Sequence, residues 1–159
     1  MLDVLGNSNE FKSQGEKLAK KIQGKTPVIY ASDAMGPIAY RWKTQFNENS
    51  KSPAFSHVFA EMNHNEIVGY QNSTKEKFIS IFLKDKEYNE RVNFRMNITK
   101  EIISGKVEVE EIFSKGNSLL ARIFSLIYYG DFVSYYHAIQ NKIDPSPVTV
   151  IENLKKKLK

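Results

Sequence analysis

The sequence predicts an α/β fold, a three-layer α/β/α sandwich built on a parallel sheet. Short apolar runs of strand length alternate along the chain with longer segments of helical periodicity, the pattern of a parallel sheet covered on both faces. The strand-length runs are nearly continuous in apolar residues, as strands buried on both sides require. With 159 residues, the chain is long enough for one domain with a sizeable core. We read residues 1–159 as that single domain, without an internal repeat, a low-complexity segment or a linker.

The elements follow in order. From Ser8 to Gln23, Phe11, Leu18, Ala19 and Ile22 recur at helical spacing, and Gly24 stops the helix. Pro27 to Ser32 is a short apolar run that reads as a buried strand. Asp33 to Pro37 is a turn, and Pro37 suits the first turn of a helix carrying Ile38, Ala39, Trp42 and Phe46. That helix should end near Lys51-Ser52-Pro53. Ala54 to Phe59 predicts a second strand, followed by a loop or helix start at Glu61 to Glu66. Phe78 to Leu83 is the clearest strand. A helix from about Asn89 to Ser104 should place Val92, Met96, Ile98 and Ile102 or Ile103 on or near one face. Val107 to Phe113 alternates in part, which suits a strand nearer an edge. Ser118 to Gln140 is helical and apolar, with Gly130-Asp131 expected to bend or break it. After the turn Asp144-Pro145-Ser146-Pro147, a basic helix runs from Val148 to Leu158.

Composition excludes several classes. No apolar run reaches the roughly 20 residues that span a bilayer, so no membrane partner is expected. Without cysteine, disulfides and thiolate metal sites are excluded. Met1 to Asn7 carries neither a basic start nor an apolar signal core, and a cytoplasmic location is the expectation. The net charge of +5 invites a nucleic-acid reading, but the lysines cluster at the two ends as solvated helix faces, and no nucleic-acid motif accompanies them. A small anionic ligand would also suit this mildly basic chain.

The unusual chemistry sits in two clusters, Arg41 to Lys51 and Glu61 to Glu66. Glu48 lies near the C-terminal end of its helix, where the macrodipole disfavours a carboxylate. On spacing alone the better reading is a surface residue paired to Lys43 or Lys51; a general base is the functional alternative. His64, sixteen positions on, stands among amides and carboxylates, whereas His57 and His137 stand in apolar surroundings that suggest packing. Glu61, His64 and Glu66 crowd one loop without a second histidine, so no metal is expected. Ligands of parallel α/β sheets bind beyond the carboxyl ends of the strands, which puts Ser32-Asp33 and the loop from Glu61 to His64 at the functional edge.

Arg41-Trp42-Lys43-Thr44-Gln45-Phe46-Asn47-Glu48-Asn49-Ser50-Lys51, followed by Glu61-Met62-Asn63-His64-Asn65-Glu66-Ile67-Val68-Gly69, resembles the C-terminal half of archaeal-type bifunctional phosphoglucose/phosphomannose isomerases. These belong to the sugar isomerase (SIS) fold family, and the resemblance runs over nearly the whole chain. Glutamine-dependent glucosamine-6-phosphate synthase is similar, with a glutamate and a histidine at the same separation. The resemblance implies an SIS-type, flavodoxin-like sandwich and isomerisation of glucose 6-phosphate and mannose 6-phosphate to fructose 6-phosphate. It makes Glu48 the base that moves a proton between sugar C2 and C1 through a cis-enediol, and His64 the ring opener, contributed across a homodimer interface. Lys155, with Lys156 as the alternative, would contact the sugar. Thr149 or Ser146 would accommodate the mannose configuration, and Ser32 and Arg41 are further substrate-binding candidates. No cofactor is implied.

The chain also departs from the pattern. Members of this family carry two SIS subdomains, and the Ser/Thr-rich loop that grips the phosphate belongs to the first. Here the first strand ends Ala31-Ser32-Asp33-Ala34-Met35-Gly36, with no such cluster and with an aspartate that repels phosphate. A separate N-terminal SIS half is therefore an expected partner. The alternative is a non-catalytic SIS module that binds a sugar phosphate or mediates association.

Overall fold

The computed structural model describes Gly6 and residues 8–158; Met1 to Leu5, Asn7 and Lys159 fall outside them, and with them most of the N-terminal stretch read above for targeting. Five helices are named here: α1 (Ser8–Ile22), α2 (Gly36–Asn49), α3 (Glu90–Ile103), α4 (Leu119–Gln140) and α5 (Thr149–Lys157). Four strands, β1 (Thr26–Ala31), β2 (Phe55–Val58), β3 (Phe78–Lys84) and β4 (Glu108–Phe113), form one parallel sheet in the order β2-β1-β3-β4. Between β2 and β3 the chain winds through an irregular helical stretch, the 59–72 segment.

Because successive strand side chains point to opposite faces, each strand feeds two cores. Ile29, Ala31, Ile79, Ile81 and Leu83 pack against α1, α2 and α4 with Trp42, Phe46 and Val133. Val28, Tyr30 and Phe82 pack on the other face with Phe59, Met62 and Met96. Full burial of side chains this large stabilises by about 1.5–3 kcal/mol each, enough to override local preferences. The three-layer parallel architecture is as expected. No helix among the described residues is long and apolar enough to cross a membrane.

Several local expectations need correction. Helix α4 runs unbroken through Gly130-Asp131. Gly130 is where the Trp42 indole lies closest, and a Cβ there would overlap the indole Nε1 and its ring neighbours. The missing side chain serves packing, and helix α4 tolerates the roughly 1 kcal/mol propensity cost. Of the two alternatives for Glu61 to Glu66 the helical one holds, with Met62–Glu66 as a turn of π-helix inside the 59–72 segment. Helix α3 buries Met96, Thr99 and Ile103, while Ile98 and Ile102 face outward. Strand β4 is an edge as expected, but so is β2, where His57 is exposed and its Nδ1 accepts from the Val58 amide at 2.9 Å. Packing was the wrong assignment for His57 because an edge strand has one open flank. His137 is buried as expected, edge-on to Phe46 at 5.6 Å between centroids.

The alternating carboxylates of β4 are matched by cations. Glu110 meets Lys21 at 2.6 Å, and Glu111 lies between Lys84 at 2.8 Å and Lys100 at 2.5 Å. At the carboxyl end of β3, buried Asp85 is held by Arg122 at 3.0 Å and by the Ser114 hydroxyl at 3.0 Å.

Candidate active site

The amides around Glu48 build the end of α2. Asn49 donates to Gln45 Oε1 at 3.2 Å and to Ser134 Oγ on α4 at 2.9 Å. The Asn47 side chain accepts from the Ala54 amide at 3.2 Å, and Ser50 donates to the Phe46 carbonyl at 2.9 Å. Lys51, in the left-handed region at φ 51, turns the chain toward β2. Its ammonium binds the Glu48 backbone carbonyl and, at 3.1 Å, the Pro145 carbonyl. A cation thus satisfies the negative end of the helix and ties it to the turn before α5.

The two expected surface pairings of Glu48 are therefore not made. Lys51 serves carbonyls, and Lys43 lies over the Tyr40 ring at 5.1 Å. The Glu48 carboxylate forms no salt bridge among the described residues, and Glu48 is exposed. It lines a groove of about 720 Å³ together with Lys51, Pro53, Asp144, Val148 and Thr149. One wall is the end of α2 and the other is the start of α5. The carboxyl of Asp144 is held below the usual aspartate range by hydrogen bonds from the Ser146 amide and hydroxyl, with Lys51 adding to the effect. A groove with a loose carboxylate, an ordered cation and a threonine can bind a polyol and exchange a proton with it.

His64 occupies the π turn Met62–Glu66 and is exposed. Its neighbours are anchored instead. Met62 is fully buried, Asn63 donates to Thr99 Oγ1 on α3 at 2.9 Å, and Glu66 accepts from the Tyr30 hydroxyl at 2.7 Å. The turn is fixed on both sides while the imidazole stands free of it. His64 is not among the residues that line the Glu48 groove.

The remaining candidates lie apart. Ser32 is buried at the end of β1, where its carbonyl accepts from the Met35 amide at 3.0 Å. Arg41 is committed to Asp131 on α4, with Nη2 donating to both carboxylate oxygens at 3.0 and 3.1 Å. Burial nonetheless pushes the Asp131 carboxyl above its ordinary value against the pull of Arg41. Ser146 is exposed, and its amide donates to Asp144 Oδ1 at 2.9 Å. Lys155 and Lys156 are exposed on α5, outside the groove lining, and α5 buries no residue. Of the sequence candidates, then, the groove gathers Glu48 and Thr149. It also includes Lys51 and Asp144, which spacing did not single out because their roles depend on a contact between the end of α2 and the turn at Pro145. No group of three or more His, Cys, Asp or Glu residues suited to a metal occurs among the described residues.

Comparison with known proteins places this geometry in context. Residues 11–158 match the family model described as bacterial phospho-glucose isomerase C-terminal SIS domain. The chain is 48% identical over 153 residues to the bifunctional phosphoglucose/phosphomannose isomerase of Caldicellulosiruptor bescii, covering 94% of this chain and 45% of the relative. It is 40% identical over 156 residues to the enzyme of the same name from Aquifex aeolicus, covering 96% and 48%. The chain spans about half the length of the curated relatives it matches. Among solved structures, a glucose-6-phosphate isomerase like protein from Thermus thermophilus superposes with a TM-score of 0.71 at 21% identity, over 89% of this chain and 46% of that one, which bears on the fold alone.

Proposed function

The chain belongs to the family of bacterial phospho-glucose isomerase C-terminal SIS domains, and from that premise we propose that it supplies the C-terminal half of an aldose–ketose isomerase site. The substrates would be glucose 6-phosphate and mannose 6-phosphate, and the product fructose 6-phosphate. We read residues 1–159 as one SIS domain that works with an N-terminal SIS half, in the cytoplasm.

The carrying observation is the Glu48 carboxylate, without an ion-pair partner among the described residues, in a groove whose opposite wall holds Thr149. In this reading Glu48 takes the proton from C2 of the open-chain aldose. Electrons shift to the C1 carbonyl oxygen to give the cis-enediolate, a proton passes from O2 to O1, and the proton held by Glu48 returns to C1 as the C2 carbonyl of the ketose forms. Bonds are rearranged within one molecule, so no redox partner or cofactor is needed. A positioned carboxylate contributes roughly 10²–10⁴-fold to such a step. The ammonium of Lys155, or of Lys156, would balance the enediolate charge, and Thr149 or Ser146 would meet the sugar hydroxyls. Ser32 and Arg41 would serve substrate binding indirectly, through the end of β1 and the seat of α2. His64 would assist ring opening, in which the C1–O5 bond breaks, the ring oxygen O5 takes up a proton and the O1 hydroxyl gives one up as the C1 carbonyl forms, a task that suits imidazole near neutral pH. Its absence from the Glu48 groove supports action from a second copy in a homodimer.

A non-catalytic SIS module that binds a sugar phosphate or mediates association is the competing reading, favoured by the missing Ser/Thr-rich phosphate loop. A coupled isomerase assay decides between them, run on this chain combined with the N-terminal half of a two-domain relative. Turnover that falls by about 10²–10⁴-fold in Glu48→Gln supports the isomerase. Activity that survives this change removes Glu48 from the role of base, and binding without turnover in the unaltered chain supports the module.

A further inference from the structure

Helix α5 is weakly seated. It buries no residue, and Val150 and Leu154 are exposed along it. Its nine residues fall short of the roughly 12–15 that make an isolated helix even marginally stable in water. Yet the start of α5 is one wall of the Glu48 groove, where Val148, Thr149 and Ile151 join the lining. Among the described residues, one hydrogen bond reaches residues 144–158 from another part of the chain. It runs from the Lys51 ammonium to the Pro145 carbonyl at 3.1 Å.

The same ammonium binds the backbone carbonyl of Glu48, the residue whose side chain lines the opposite wall. One cation therefore joins the backbone of the proposed base to the turn that launches α5. The carbonyl end of a helix favours a cation, and a charged donor strengthens each bond. Lys51 also helps to hold the Asp144 carboxyl below its ordinary range, so its charge lies close to that turn. The backbone of Lys51 offers a way to isolate the side chain. At φ 51 it is left-handed, a conformation that asparagine takes more readily than lysine.

We propose that Lys51 is a positioning residue, its ammonium pinning the start of α5 across the groove from Glu48. It touches no sugar in this role. With the pin in place, Thr149 stays on the wall facing Glu48. Without it α5 frays, and only the fraction of chains with a closed wall can take up the substrate. Apparent affinity falls by that fraction, while proton transfer at Glu48 in the bound state is unchanged. The inference deepens the proposed function and rests on it for this kinetic consequence; the pin itself does not depend on it.

Lys51→Asn suits the left-handed turn and removes the ammonium. Hydrogen–deuterium exchange on the chain by itself reads the pin without turnover. Because Lys51 is exposed, water screens the contact, and the expected effect is about fivefold faster exchange of the amides of residues 150–158. Amides of β3 should be unaffected, which separates release of α5 from general loss of stability. Lys51→Arg should exchange as the unaltered chain does. So should Lys142→Asn, which changes the other left-handed lysine, outside the groove lining. In the coupled assay with the N-terminal half of a two-domain relative, Lys51→Asn is expected to raise KM by about the same factor and to leave kcat within about twofold. Lys51→Arg should restore KM. Unaltered α5 exchange in Lys51→Asn, or an equal rise in Lys142→Asn, overturns the pin. Faster exchange with KM unmoved, or a fall in kcat alone, overturns the positioning role. Where the unaltered chain shows no turnover the isomerase reading fails, and the pin is judged on exchange alone.

Discussion

The Tyr30 hydroxyl donates to a carboxylate oxygen of Glu66 at 2.7 Å, and through that bond the central strand β1 grips the turn that carries His64. The Tyr70 hydroxyl lies 3.0 Å from that of Tyr30 and 2.9 Å from Ser80 Oγ on β3, so the chain of hydroxyls reaches across the sheet. Burial first, and then Tyr70 and Glu66, push the Tyr30 phenol far above its ordinary range, which keeps it a donor.

Tyr30→Phe removes the donor and leaves the Glu66 carboxylate without its strand partner. The expected loss of stability is about 1–3 kcal/mol. If His64 needs a fixed turn, kcat should fall several-fold more than the stability change alone predicts. Denaturant unfolding and steady-state kinetics on the same preparation separate the two effects.

Gly130→Ala places a methyl group where the Trp42 indole now lies. The clash also threatens the bond from Trp42 Nε1 to the Leu126 carbonyl at 2.8 Å. A cost of about 1–3 kcal/mol is expected from overpacking, despite the better helix propensity of alanine. Trp42 is the sole tryptophan, so its fluorescence should shift in the variant, and an unchanged spectrum with unchanged stability would refute the contact.

Mixing two inactive variants tests the division of labour. If His64 serves the neighbouring copy, Glu48→Gln and His64→Asn chains, mixed and allowed to exchange, form hybrids in which one site has both groups. Random exchange between two-fold partners should restore about a quarter of the sites. Recovery no greater than the sum of the separate activities would mean that both residues act within one chain.

His137 makes stability depend on pH. Its Nε2 faces the Asn141 amide nitrogen at 3.2 Å, Nδ1 has no hydrogen-bond partner among the described residues, and burial lowers the imidazole below its ordinary value of 6.5. Below pH 6.5 the unfolded chain takes up a proton that the folded one resists, so this contribution is present above that value and lost as pH falls toward the lowered folded value. His137→Gln should flatten the slope of unfolding free energy against pH in that window, whatever it does to absolute stability. An unchanged slope would assign the pH dependence elsewhere.

Much of this was legible in local pattern. The runs around Ile29 and Ile81 announce buried strands, and the spacing of Ile38, Trp42 and Phe46 announces α2, since each depends on neighbours within a few residues. The Glu48 and His64 clusters stood out because each sets a carboxylate or an imidazole among amides and charges, sixteen positions apart. Gly130 misled because a helix-breaking propensity of about 1 kcal/mol is small beside the packing of an indole. Ile98 and Ile102 misled because periodicity marks an apolar face without saying whether it meets this chain's core or a surface.

The sequence by itself determined the alternation of strands and helices, the parallel sandwich and the family motif, all of which are written in short-range periodicity and residue type. Only the tertiary structure decided that Lys51 and Asp144 join Glu48 and Thr149 in one groove, that Arg41 is held by Asp131, and that His64 stands elsewhere. Those facts depend on the strand order β2-β1-β3-β4 and on the docking of α2 against α4, contacts between residues far apart in the chain whose energies no local pattern records.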